Sequence, residues 1–81
     1  MKAQVYVTTK DGILDPQGRT VHKALTSLGI TAIKDVHMGK FIELDLKKMD
    51  KAKARTVTAE ACDRLLVNSN IEAYRFEIVE D

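Results

Sequence analysis

Apolar and polar residues alternate in two stretches near the ends of the chain. Over residues 2–8, Ala3, Val5 and Val7 share one parity and Gln4, Tyr6 and Thr8 take the other. Over residues 71–79, Tyr74, Phe76 and Ile78 fall on one face and Arg75, Glu77 and Val79 on the other. A period of two marks a half-buried strand. A longer run of the same kind occupies residues 33–47. Val36, Met38, Ile42, Leu44 and Leu46 stand against Asp35, His37, Glu43, Asp45 and Lys47. Gly39-Lys40 interrupts it and invites a hairpin with a two-residue turn. Such a turn would set His37 beside Ile42 and Asp35 beside Leu44, mixing the two faces, because opposed residues share a face. One long strand, bent or bulged at Gly39, keeps the apolar face intact except at Lys40.

Between the strands the period changes. Val21, Ala24, Leu25 and Leu28 follow the i, i+3, i+4, i+7 spacing of a helix stripe. Asp15 is a suitable N-cap, Pro16 suits the first helical position, and Gly29 suits a left-handed stop. A second helix begins after Asp50. Ala54, Val57, Ala61 and Leu65 form its expected inner stripe, with Cys62 and Leu66 flanking it. Asn68-Ser69-Asn70 ends it, with Asn68 as the expected C-cap. The order is β-α-β-α-β, with a long middle strand that counts as one strand or two. Helices on one face of an antiparallel sheet give an α+β domain resembling the ferredoxin-like plan. Strands typically run about 5–6 residues. A strand more than twice that length has more apolar face than this chain can cover. A homodimer is therefore expected, with the sheet completed by, or a segment exchanged with, a second copy.

Composition narrows the picture. The chain has 81 residues, enough for one small domain over residues 1–81. A hydrophobic content of 44% and a net charge of +1 exclude an acidic disordered tail and a strongly basic nucleic-acid binder. One cysteine permits no intrachain disulfide, and two histidines offer no obvious zinc site. No secretory leader pattern and no bilayer-length apolar run is present, so a reducing cytoplasm is the expected compartment.

Candidate chemistry is sparse. Cys62 with His22 or His37 as base would make a nucleophile. A small packing residue beside a helix stripe is the stronger reading. No nucleophile elbow, Walker spacing or ligand cluster occurs, so no catalytic, cofactor-binding or metal-binding residues are assigned. Lys40 has two readings: a stem that reaches solvent at a bulge or sheet edge, or a fixed cation for a partner's carboxylate or phosphate. His37 reads as a solvated or dimer-contact residue. Tyr6 stands without the paired aromatics of an RNA-binding sheet. The residues alone give a small α+β module, oligomeric, with no active site of its own.

Three blocks carry a resemblance. Leu14-Asp15-Pro16-Gln17-Gly18, Val36-His37-Met38-Gly39-Lys40, and Cys62-Asp63-Arg64-Leu65-Leu66-Val67-Asn68 with Ile71-Glu72-Ala73-Tyr74-Arg75-Phe76-Glu77 resemble the PurS family, end to end. That family is the small subunit of phosphoribosylformylglycinamidine synthase. The resemblance implies a required, non-catalytic subunit of an ATP- and glutamine-dependent ligase of purine biosynthesis. Its partners would be itself, a large PurL-like synthase and a PurQ-like glutaminase, which it helps join so that ammonia passes between them. ATP, Mg and glutamine would be used by those partners, with no cofactor in this chain. Neither nucleic acid nor membrane is an expected partner. The family usually carries Arg where this chain has His37, so a charged contact there would depend on protonation. His37, Gly39, Lys40 and Arg75 are the candidate partner-interface residues. The rival reading is a ligand-sensing ferredoxin-like domain that binds a small metabolite between subunits.

Overall fold

The computed structural model describes residues 1–80. Its elements are β1 (Lys2–Thr9), α1 (Pro16–Ser27), β2 (Gly39–Asp45), α2 (Lys51–Ala61) with a π-helical turn (Cys62–Leu66), and β3 (Glu72–Val79). The three strands form one antiparallel sheet in the order β2-β1-β3. The α+β class expected from the sequence holds.

The central strand supplies the core. Ala3 and Val5 are fully buried and Val7 nearly so. Their cross-strand partners on the same face are Leu44, Ile42 and Lys40 in β2 and Ile78, Phe76 and Tyr74 in β3. α2 closes this face. Asp50 caps it by accepting the Lys53 N–H at 2.7 Å. Ala54, Thr58 and Cys62 are the buried residues of this helix and its extension. The inner line is thus i, i+4, i+8, one step round from the expected line of Ala54, Val57, Ala61 and Leu65. The π turn adds a residue to the last turn. It swings Leu65 into solvent, 83% exposed, and Leu66 against the core.

Asn68 does not form a left-handed C-cap, since no non-glycine residue among the described residues has positive φ. It organises the turn instead. Its side chain accepts the Asn70 N–H at 3.2 Å, and its carbonyl accepts the Ile71 and Glu72 N–H groups at 3.1 and 2.7 Å.

The middle strand differs most from expectation. It starts at Gly39, and residues 30–38 belong to no ladder. β1 ends opposite that point, with Thr8 paired to Gly39, so the chain offers residues 33–38 no neighbouring strand. Nor is Gly39 a bulge: the register runs unbroken from Lys2–Asp45 to Thr8–Gly39. A Cβ at Gly39 would stand 2.4 Å from the Val7 carbonyl oxygen. Close backbone approach, not a bend, requires glycine there.

α1 forms as its local signals dictate. Pro16 opens it, Asp15 caps it, and Gly29 with φ 87° ends it. The Ile30 N–H reaches the Leu25 carbonyl and the Gly29 N–H the Thr26 carbonyl, which is a Schellman stop. Yet α1 does not lie over the sheet with α2. Of its residues only Gly18 is buried, and the expected core stripe is largely exposed, with Val21 and Ala24 open to solvent. The molecule is accordingly elongated, 49 × 28 × 14 Å.

Candidate functional site

α1 and residues 28–38 form an arm that leaves the end of the sheet and returns to it. Asp15 holds the base of this arm. One carboxylate oxygen accepts the Gly18 N–H at 2.9 Å, capping the helix, and the other accepts the Met38 N–H at 2.9 Å. These two donors hold the Asp15 carboxyl below the ordinary aspartate range. Gly18 lets the two limbs approach: a Cβ there would lie 2.2 Å from the Val36 carbonyl oxygen. Further out, His22 Nε2 donates to the Ile33 carbonyl at 2.9 Å. An open groove of about 740 Å³ runs along this arm, lined by Leu14, Arg19, His22, Lys23, Lys34 and Asp35 among others.

The arm also carries unpartnered apolar surface. Leu28 is 76% exposed and Leu14 65%, with Val21, Ile30, Ile33 and Met38 also exposed. A helix stripe this open in a soluble monomer marks a surface that something else covers.

The four candidate interface residues fall in two places. His37, Gly39 and Lys40 sit where the arm meets β2. His37 is exposed and lies 3.6 Å from Asp35. Lys40 pairs with Val7 across β1 and so belongs to the helix side of the sheet. Its stem reaches over β1 to put Nζ 3.4 Å from Glu72, joining the two edge strands at one end. Within this chain Lys40 is thus paired with a carboxylate across the sheet. The Asn68 N–H, which donates to the same carboxylate at 2.9 Å, and the Lys40 ammonium hold Glu72 below the usual glutamate range, against its partial burial.

Arg75 lies on the other side of the sheet. Its guanidinium stands 4.0 Å over the Tyr6 ring and 3.7 Å from Glu77. Tyr6 in turn packs on Phe41 with centroids 5.1 Å apart. Phe41 is 54% exposed, so a row of Phe41, Tyr6 and Arg75 crosses the open face. Aromatic and arginine side chains are the types enriched at interface hot spots.

Sequence reading missed the second bond of Asp15, the Glu72 partner of Lys40, and Phe41. Phe41 carried a signal in its parity, opposite to that of Ile42 and Leu44. Cys62 is where packing would put it. It is fully buried, burial pushes its thiol up, and the two histidines are engaged elsewhere with Asp35 and Ile33. Among the described residues no group of three or more His, Cys, Asp or Glu is placed to hold a metal. No helix among them is long and apolar enough to cross a membrane.

Fold and site together define a class: a small three-stranded α+β module whose exposed arm and open sheet face are built for contact. The PurS family model, described as phosphoribosylformylglycinamidine (FGAM) synthase, matches residues 2–80. The PurS subunit of that synthase from Bacillus subtilis is 42% identical over 98% of this chain and 93% of its own length. A crystal form of B. subtilis PurS superimposes with a TM-score of 0.88, covering 98% of both chains. A chain in the structure of PurLQS from Thermotoga maritima is 30% identical, with a TM-score of 0.85 over 94% of this chain and 93% of that one. The chain belongs to the PurS family.

Proposed function

We propose that this chain is the small, non-catalytic subunit of phosphoribosylformylglycinamidine synthase in purine biosynthesis. It holds a PurQ-like glutaminase and a PurL-like ATP-dependent synthase in register, so that ammonia released by one reaches the other. ATP, Mg and glutamine are handled by those partners, and the complex works in the cytoplasm. The observation that carries this reading is the end-to-end match to PurS chains, one of them in a PurLQS structure.

The chain acts as a homodimer at least. The arm supports this, because Leu28, Leu14 and Ile30 expose apolar surface that nothing in the same chain covers. Residues 33–38, which alternate like a strand but have no ladder, are the segment that a second copy would pair. The polar groups at the arm's base and the Arg75 face then orient the larger subunits, since charged contacts set register more than affinity.

Reconstitution tests the reading. The three proteins are assayed with glutamine and then with ammonium, with and without this chain. Glutamine-driven synthesis is expected to require it, and the isolated chain to hydrolyse neither glutamine nor ATP. Unchanged glutamine-driven turnover without the chain would remove the adaptor role.

A further inference from the structure

We propose that Asp15 is the positioning residue of the arm: by bridging the first turn of α1 to the Met38 backbone it sets the angle at which the arm meets a second copy of this chain. The proposal rests on the homodimer reading above.

The geometry separates this role from ordinary capping. An N-cap needs one acceptor, and Asp15 supplies it to Gly18 through one oxygen at 2.9 Å. The second oxygen is directed across 23 residues of sequence to Met38 N–H, again at 2.9 Å. Met38 directly precedes β2, whose register on β1 begins at Gly39. One carboxylate therefore links the start of the helix to the start of a core strand. Close contact reinforces the link: the Gly18 position can hold no side chain, since a Cβ would come 2.2 Å from the Val36 carbonyl oxygen. α1 is otherwise poorly anchored, with Gly18 its one buried residue. His22 ties helix to return segment further out, but both of those limbs belong to the arm. The bridge from Asp15 to Met38 is what transmits the sheet's orientation to the exposed residues Val21 and Leu28.

Only a carboxylate meets the requirement. Both donors are backbone N–H groups, so both sites must be acceptors. Asparagine offers an oxygen to one and an N–H₂ to the other, donor facing donor. Serine caps the helix but has no second acceptor and too short a reach.

The test uses the full chain and its reconstituted complex. Asp15→Ser keeps the cap and cuts the bridge. Gly18→Ala sets a Cβ against both the Val36 carbonyl oxygen and Asp15 Oδ2, so it displaces the bridging oxygen and forces the limbs apart, while raising helix propensity. For both, far-UV circular dichroism is expected to report wild-type helix content. Exchange of the Met38 amide proton should accelerate at least tenfold, and the dimer dissociation constant should rise about tenfold or more. Glutamine-driven turnover should fall several-fold at subunit concentrations where ammonium-driven turnover is retained. Raising the concentration of the small subunit should recover the lost activity. Faster Met38 exchange with a wild-type dissociation constant would overturn the positioning role alone. A wild-type chain that stays monomeric at high micromolar concentration would overturn the homodimer reading and this proposal with it.

Discussion

In the body of the molecule Val5 has no exposed surface and Val7 almost none; in the arm Leu28 keeps 76% of its surface open and Leu14 65%. Both regions are amphipathic, and both helices have an aspartate cap whose carboxylate accepts the third helical N–H. Local signals were equally clear in the two. The difference is in what lies opposite. β1 has a neighbour on each edge and α2 above it, whereas α1 and residues 30–38 extend past the end of the sheet. Caps and periodicity decide that an element forms. They do not decide whether its apolar face is buried in the same chain.

The largest effect should separate the regions by concentration dependence. Val5→Ala removes buried methyl groups from the centre of the core and should cost about 2–3 kcal/mol. That cost should be the same at any protein concentration in chemical denaturation. Leu28→Ala should leave the stability of dilute, monomeric chain near wild type and lower it only where the chain associates. A concentration-independent loss at Leu28 would mean that the arm is buried against its own body.

Gly39 probes the seam between the two regions. Its Cα lies against the Val7 carbonyl, where a Cβ would come within 2.4 Å. Gly39→Ala should push β2 off β1 at that end and cost about 1–3 kcal/mol in thermal unfolding. An unchanged melting temperature would show that the strand end shifts freely, and the arm with it.

Much of this was legible in the residues. β1 and β3 were, because strict alternation over a half-buried strand leaves one reading of their faces. Asp15, Pro16, Gly29 and Asp50 were, because caps act over three or four residues. The middle strand was overextended because residues 33–38 alternate like a strand, while pairing depends on where β1 ends. The inner line of α2 was shifted because a π turn changes the helical phase, and composition does not announce it. Lys40 could not be matched to Glu72 from sequence, since they meet only through the order β2-β1-β3.

A smaller effect tests the body alone. The Thr58 hydroxyl is fully buried and has no hydrogen-bond partner among the described residues. A buried hydroxyl without a partner costs free energy that an isosteric methyl does not. Thr58→Val should therefore raise stability by about 1 kcal/mol, read as a higher denaturation midpoint with unchanged slope. A loss would show that the hydroxyl is satisfied in solution.

The smallest effect is titration, and it compares one carboxylate in each region. Asp15 serves the arm and Glu72 the body, and both have folded values below their ordinary ones of 3.8 and 4.5. A depressed carboxyl binds its proton more weakly when folded than when unfolded. Its contribution is therefore complete above the ordinary value and is lost as pH falls through the lower, folded one. At neutral pH neither group should cause any pH dependence. As pH falls below these ordinary values toward the lower, folded ones, both links should weaken, but with different reporters. Protonated Asp15 should release the Met38 amide, and protonated Glu72 should release the Asn68 amide and the Lys40 ion pair. Chemical shifts of these two amides, followed from pH 6 down to pH 2, give separate midpoints. In Asp15→Ser the Met38 transition should vanish while the Asn68 transition stays. In Lys40→Gln the Asn68 midpoint should rise toward the ordinary glutamate value, because one of the two groups holding it down is gone, and the Met38 midpoint should not move. If instead both amides titrate together in every variant, the arm and the body open as one unit, and Asp15 does not hold the base of the arm independently of the body.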